Sequence, residues 1–164
     1  MSKKCKKKRS RKGWLPIEGV NRHQLYQWAV QAPDFEVWFM DQVFRERRGR
    51  APVTMREDFC GTAILSATWV MSAPDRRALG LDLDQETLDW GQENNLTALS
   101  EAGRTGDIEL RLQDVRTVTA PPADVICAYN FSSFLLHPQT ELVAYLKQVR
   151  ESLGEDGLFF MDCY

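Results

Sequence analysis

The stretch Glu57-Asp58-Phe59-Cys60-Gly61-Thr62-Ala63 is the part of this sequence best suited to hold a ligand. It follows a short apolar run and precedes a helical pattern of apolar residues, so it is predicted to form a tight turn between a strand and a helix. Small residues in such a turn let the backbone approach a ligand closely, and the first turn of a helix offers free N–H groups. We therefore expect this turn to bind a small molecule through its backbone.

A second acidic strand end follows in Leu79-Gly80-Leu81-Asp82-Leu83-Asp84. In open α/β sheets that bind nucleosides, an acid at this place accepts hydrogen bonds from the ribose hydroxyl groups. Asp82 is the candidate for that contact, and Leu83 is placed to pack on the face of the base. Asp84 fits the N-cap of the following helix. The two strand ends together predict a nucleoside site.

The turn resembles the first motif of class I S-adenosylmethionine-dependent methyltransferases, which often reads D-L-G-C-G-T-G. Glu57 takes the acidic position and Gly61 that of the central glycine, whereas Phe59 and Ala63 replace the first and third glycines. Because residues other than glycine adopt positive φ less readily, we expect the turn to be shaped differently here.

The resemblance extends from about residue 26 to residue 164 and implies S-adenosyl-L-methionine as the cofactor. It implies that Glu57 orients the turn or receives the ammonium group, and that Asp114 and Val115 contact the adenine. Asp114 could instead be a turn residue. A tyrosine in the N-terminal helix of such proteins can reach the methionine part, which singles out Tyr26. The expected cofactor-binding residues are Tyr26, Glu57, Phe59, Cys60, Gly61, Thr62, Ala63, Asp82, Leu83, Asp114, Val115 and Asn130.

Asn130 and His137 are the candidates for a catalytic role. Asn130 follows the fourth predicted strand, at the switch point where ligands bind in open α/β sheets, and could contact the methionine part or the acceptor. His137 could be a general base or could cap the next helix beside Pro138, and the sequence does not decide between the two. The scattered cysteines and histidines lack metal-ligand spacing, so we expect no metal site.

Strand and helix patterns alternate along the chain, which predicts a doubly wound α/β fold. We expect a mostly parallel, Rossmann-like sheet with strand order 3-2-1-4-5. Helices are predicted over about 22–31, 34–47 and 84–100, with Trp28 and Trp38 as core anchors. The predicted strands cover residues 53–58, 77–82, 107–113, 123–129 and 157–164.

The chain divides into a basic arm over residues 1–20 and a methyltransferase domain over residues 21–164. Within the domain we expect N-terminal helices over 22–48 and a cofactor-binding α/β core over 52–164. Proteins of the resembled family usually continue past the fifth strand, so we expect strands 6 and 7 to be missing and the domain to be truncated. An uncovered strand 5 would be an exposed edge through which the protein could self-associate.

Charge is distributed unevenly. Residues 3–12 hold eight of the 21 Lys and Arg residues, and the remainder carries 13 basic against 23 acidic residues, a formal net charge of −10. Like charges this dense cannot form a core, so we expect the arm to be disordered. It could bind nucleic acid, act as a nuclear address in a cell with a nucleus, or be a solvated tail. The acidic domain argues against a broad nucleic-acid surface on the domain itself.

The sequence predicts a cytoplasmic protein. No apolar run approaches the roughly 18 residues of a membrane span, and the N-terminus lacks the apolar segment of a secretory signal. The four cysteines suggest reduced thiols, of which we expect Cys60, Cys127 and Cys163 to be buried as small hydrophobic residues. His23 is expected at the surface.

We favour a methyltransferase whose acceptor, a small molecule, RNA or protein, the sequence does not identify. The alternative is a non-catalytic, methyltransferase-like binding module or a truncated fragment. A nicotinamide-dependent oxidoreductase needs a G-x-G-x-x-G turn, which Phe59-Cys60-Gly61-Thr62-Ala63 does not provide.

Overall fold

The structure, a computed structural model, describes residue 19 and residues 21–163. The expectations about the basic arm over 3–12 fall on residues outside this range, as does Tyr164. No helix among the described residues is long and apolar enough to cross a membrane.

Strands and helices alternate along the described chain. The α-helices are α1 (Arg22–Val30), α2 (Pro33–Arg48), α3 (Ile64–Met71), α4 (Gln85–Asn94), α5 (Thr97–Glu101) and α6 (Gln139–Ser152). The strands are β1 (Thr54–Asp58), β2 (Arg77–Asp82), β3 (Ile108–Leu112), β4 (Ala123–Ala128) and β5 (Leu153–Met161). Short 3-10 helices cover Thr105–Asp107 and Ser132–Leu135.

The five strands form one parallel sheet in the order β3-β2-β1-β4-β5, which confirms the predicted fold class and strand order. Alternate residues of β4 contribute to different hydrophobic clusters. Val125 and Cys127 pack with α2 and α3, whereas Ile126 and Ala128 pack with α6. The sheet therefore has a core on each face, as expected of a doubly wound fold. Because all strands are parallel, their carboxyl ends meet at one edge, where the candidate site residues lie.

The expectation that Trp28 and Trp38 anchor the core is wrong, because their exposed fractions are 61% and 55%. The buried side chains of α2 are instead Val37, Met40 and Phe44. Apolar residues cover more than one face of this helix, so their spacing alone did not identify the buried face.

Two smaller predictions are also corrected. His23 is buried, because its ring packs against Trp90 with the ring centroids 5.0 Å apart. Cys163 is exposed, whereas Cys60 and Cys127 are buried as expected.

The helix predicted over 84–100 is two helices, α4 and α5. Asp84 is the N-cap of α4 as predicted, since its side chain accepts a hydrogen bond from the Thr87 N–H. The break falls at Asn95, whose side-chain amide donates to the carbonyl oxygen of Thr62 over 2.7 Å. Contact with the β1–α3 turn thus coincides with the end of α4.

Gly91 lets α4 pack directly on that turn. A Cβ atom at Gly91 would lie 2.4 Å from the carbonyl oxygen of Thr62, which is closer than atoms can approach. A larger residue would therefore push the helix away from the turn.

We predict that Gly91→Ala destabilises the protein by about 1–3 kcal/mol through overpacking, despite the better helix propensity of alanine. Gly106→Ala is the matched control, because its Cβ would meet no atom within 4 Å. Urea unfolding of both variants measures the effect. Equal stability of the two variants would contradict the proposed close contact.

Candidate functional site

The turn between β1 and α3 has a left-handed backbone at three positions. Phe59, Gly61 and Ala63 have φ values of 57°, 52° and 55°. Phe59 and Ala63 stand where the family motif has glycines, yet both keep a positive φ, contrary to our expectation. Because each has a Cβ atom, each carries about 1–2 kcal/mol of strain. Packing opposes this strain, because the Phe59 ring lies against Tyr145, with the ring centroids 6.0 Å apart.

The side chains of the turn point mostly into the protein. Cys60, Thr62 and Ala63 are all buried. The Cys60 N–H donates to the carbonyl oxygen of Leu81, and Gln27 of α1 donates to the Thr62 hydroxyl over 2.7 Å. The turn can therefore offer a ligand mainly backbone groups.

Glu57 supports the helix that follows the turn. Its carboxylate accepts hydrogen bonds from the Ser66 N–H over 2.9 Å and from the Ser66 hydroxyl over 2.5 Å. The N-cap residue Ala63 makes no side-chain hydrogen bond, so Glu57 satisfies donors of the first turn of α3. Burial raises the pKa of Glu57 to about 8, against the opposing effect of the Ser66 hydrogen bonds.

Asp82 joins the ends of β1 and β2. One carboxylate oxygen accepts the Gly61 N–H over 2.7 Å, and the other accepts the N–H groups of Leu83 and Asp84 over 2.8 and 2.9 Å. A carboxylate has about four acceptor positions, so one remains for a ligand hydroxyl.

A cavity of about 430 Å³, which we call the edge pocket, opens beside Asp82. It is lined by Phe59, Asp82, Leu83, Asp114, Val115, Arg116, Ser132, Leu135, Leu136, His137 and Glu141. It brings together six residues singled out from the sequence, and Leu83 is 69% exposed at its wall. Tyr26 and Asn130 are not part of this lining.

Asp114 is held by a partner that sequence reasoning missed. Its carboxylate accepts the backbone N–H of Arg116 over 2.8 Å and pairs with the Arg116 guanidinium, which holds the pKa of Asp114 below its usual range. Arg116 also forms an ion pair with Glu141 of α6. The sequence signal that could have identified this partner was the basic residue two positions after Asp114.

A buried ion pair under the edge pocket was also missed. Arg56 donates to Asp58 over 2.6 Å, and the Tyr145 hydroxyl donates to the second Asp58 oxygen over 2.7 Å. Burial raises the pKa of Asp58 to about 6, although Arg56 opposes that shift. Arg56 also donates to the carbonyl oxygens of Val115 and Thr117, over 2.5 and 3.0 Å. These bonds fix the loop that carries Asp114.

Asn130 lies at the carboxyl end of β4, and Tyr26 lies on α1. Tyr26, on α1, is 49% exposed, and burial of its ring is the main cause that raises its pKa. Asn130 directly follows β4 and has φ of 57°, with Phe131 next to it at 59°. No group of three or more His, Cys, Asp or Glu side chains in the described part of the chain is arranged to hold a metal ion.

Comparison with known proteins supports the fold. No protein-family model matches the sequence, and neither does any curated protein. The amino pentose methyltransferase CalS10 from Micromonospora echinaspora has 17% identity and a TM-score of 0.69, over 87% of this chain and 55% of that one. The sugar N-methyltransferase KedS8 from Streptoalloteichus sp ATCC 53650 is 20% identical to this chain, with a TM-score of 0.69. The match covers 94% of this chain and 58% of that chain.

A methyltransferase from Clostridium acetobutylicum ATCC 824 is similar at 20% identity, with a TM-score of 0.69 over 84% of this chain and 55% of that chain. The chain thus spans a little over half the length of these structures. It has the class I S-adenosylmethionine-dependent methyltransferase fold.

We predict that Arg56→Met destabilises the protein by about 3–5 kcal/mol, because Asp58 is left buried without its ion-pair partner. The matched control is Arg111→Met, whose pair with Glu109 is partly exposed and should be worth about 0–1 kcal/mol. Chemical denaturation compares the two. If Arg56→Met loses no more stability than Arg111→Met, the buried network does not organise the fold.

The raised pKa of Glu57 predicts a pH-dependent effect of Glu57→Gln. In wild type, the favourable contribution of Glu57 to the free energy of unfolding is fully present below the ordinary pKa of a glutamate. As the pH rises from there through about 8, that contribution is lost. The variant, which is always neutral, should therefore gain in melting temperature relative to wild type between pH 5 and pH 9. Glu93→Gln on the exposed face of α4 is the control. A difference that stays constant with pH would refute a neutral, buried Glu57.

Proposed function

We propose that this chain binds S-adenosyl-L-methionine at the edge pocket and transfers its methyl group to an acceptor. One observation carries the proposal. Asp82 and Leu83 at the end of β2, and Asp114 and Val115 after β3, line one cavity next to the β1–α3 turn. In open α/β sheets this edge is where ligands bind.

The chemistry of the edge pocket suits an adenosine. Asp82 retains an acceptor position for a ribose hydroxyl. The Asp114 oxygens already accept from the backbone and guanidinium of Arg116, so a bond from the adenine amino group would replace one of these. Leu83, Val115 and Leu136 supply apolar surface for the faces of the base. A volume of about 430 Å³ falls in the range of small-molecule sites.

The methionine part would lie along the β1–α3 turn. The turn offers backbone groups, because the side chains of Cys60, Thr62 and Ala63 are buried. The bonds of Glu57 to Ser66 support the orienting role for this acid over direct contact with the ammonium group. Tyr26 and Asn130 remain the candidates for side-chain contacts.

When bound, S-adenosyl-L-methionine supplies an activated methyl group on a sulfonium, and the sulfur leaves as a neutral thioether. The protein then contributes mainly orientation and exclusion of water. His137 lines the pocket proposed for the adenosine, which supports a role in the pocket wall over that of a general base. Asn130 is therefore the better candidate for contact with the acceptor.

The remaining assignments are proposals about the whole protein. We retain the division into an arm over 1–20 and a domain over 21–164, and a cytoplasmic location.

Two of the similar structures are sugar methyltransferases, and another, BpumL, is a plantazolicin methyltransferase. These neighbours favour a small molecule or peptide as acceptor over RNA.

Calorimetric titration with S-adenosylmethionine tests the proposal. Wild type should bind, and Asp82→Asn should bind about ten- to a hundredfold more weakly, because a hydrogen bond to a charged group is worth about 1.5–3 kcal/mol. Asp84→Asn is the matched control, since Asp84 caps α4 and is not part of the pocket lining. Its affinity should stay near that of wild type.

Absence of binding by folded wild type, or equal losses in the two variants, would contradict the proposal. Binding without transfer to any acceptor tested would favour the non-catalytic binding module.

A further inference from the structure

Three charged side chains of the edge pocket contact one another. Asp114 lies in the loop after β3, Arg116 lies two residues further on, and Glu141 lies in the first turn of α6. The Arg116 guanidinium forms ion pairs with both acids. It therefore links two walls of the pocket, and we call these three residues the arginine bridge.

The guanidinium occupies the acceptor positions of Asp114. Its Nε lies 3.0 and 3.2 Å from the two carboxylate oxygens, and its Nη2 lies 2.5 Å from Oδ2. The backbone N–H of Arg116 donates to Oδ1 over 2.8 Å. Since a carboxylate has about four acceptor positions, Asp114 has little capacity left for a ligand while these bonds are in place.

Glu141 offers the same guanidinium a second place. Its Oε2 accepts a hydrogen bond from Arg116 Nη1, and within the described part of the chain its other carboxylate oxygen accepts none. A carboxylate can bind a guanidinium through both oxygens in a paired arrangement. Glu141 can therefore accept a second N–H from Arg116 when that N–H leaves Asp114.

The arginine bridge is exposed enough for this exchange to cost little. The three side chains are 34–41% exposed, with ordinary ion pairs at such exposure contributing about 0–1 kcal/mol each. Moving one N–H from Asp114 to Glu141 therefore changes the free energy only slightly. The backbone N–H of Arg116 still holds Oδ1 of Asp114 after the exchange, which leaves Oδ2 free.

We propose that Arg116 makes an autoinhibitory contact in the edge pocket: it covers Asp114 in the absence of a ligand, and an adenine amino group displaces it onto Glu141. The exchange rests on the proposed function, in which Asp114 faces the adenine. The amino group donates to Oδ2, and the guanidinium N–H that it replaces moves to the unused oxygen of Glu141. Every donor keeps an acceptor, so no polar group is left without a partner.

This contact weakens adenosine binding according to the fraction of molecules in which Asp114 is free. If the guanidinium covers Asp114 in about 70–90% of molecules, the observed affinity is about three- to tenfold weaker than that of an open pocket. Purine riboside, in which a hydrogen atom replaces the amino group, forms no such bond to Asp114. Its affinity does not depend on the release of Asp114.

The test measures binding of adenosine and purine riboside, two neutral nucleosides, to the full chain by NMR titration. Arg116→Met should bind adenosine about three- to tenfold more tightly than wild type, while its affinity for purine riboside stays within about twofold. Arg111→Met is the matched control, because its ion pair with Glu109 is also partly exposed and it does not line the edge pocket. Its affinities should equal those of wild type.

Glu141→Gln tests the second half of the exchange. Without the Glu141 carboxylate the guanidinium stays on Asp114, so adenosine should bind about threefold or more weakly than to wild type. Adding Glu141→Gln to Arg116→Met should have no further effect, because the group through which Glu141 acts is gone.

Equal or weaker adenosine binding by Arg116→Met would overturn the proposal, since Arg116 would then support the pocket. A gain of the same size for purine riboside would also overturn it, because the effect would not pass through Asp114. Absence of adenosine binding by both wild type and Arg116→Met, each folded, would instead refute the proposed function on which the exchange depends.

Discussion

A guanidinium buried in the middle of a parallel sheet is the constraint on which the candidate site depends. Arg56 on β1 is 1% exposed, and burying its charge is costly unless every donor is satisfied. Its donors reach Asp58, three oxygens of the segment 115–119 and the Ser152 hydroxyl. The loop after β3 and the end of α6 must therefore close over β1. This closure places Asp114 at the edge of the sheet.

A second set of contacts brings the β1–α3 turn to the same edge. Asp82 accepts the Gly61 N–H, and two side chains donate to Thr62: Gln27 of α1 and Asn95, which directly follows α4. These polar contacts hold a turn in which Phe59 and Ala63 have unfavourable positive φ. The strain remains because α1, α4 and β2 all hold the same few residues. A preorganised backbone of this kind can bind a ligand with little loss of conformational entropy.

The alternation of strand and helix patterns was enough to predict a parallel, doubly wound sheet, and the acid at the end of the second strand was enough to single out Asp82 as a candidate. Both follow from local rules, since parallel strands place their carboxyl ends at one edge. The choice of Asp114 depended on the resemblance to the methyltransferase family. Arg56 could not be identified in this way, because its partners, apart from Asp58, lie about 60 or more residues further along the chain. The prediction that Trp28 and Trp38 are buried in the core failed for a related reason. Apolar spacing marks a helix, but only tertiary packing decides which of two apolar faces is buried.

In the proposed function, the edge pocket and the neighbouring turn form one adenosyl site. The most direct measurement is a map of backbone amide chemical shifts during titration with S-adenosylhomocysteine. The largest changes should fall on Gly61, Leu83 and Val115, with little change in the groove beside Ser100 and Thr105. Saturation with the largest changes in that groove, or no change in a folded protein, would contradict it.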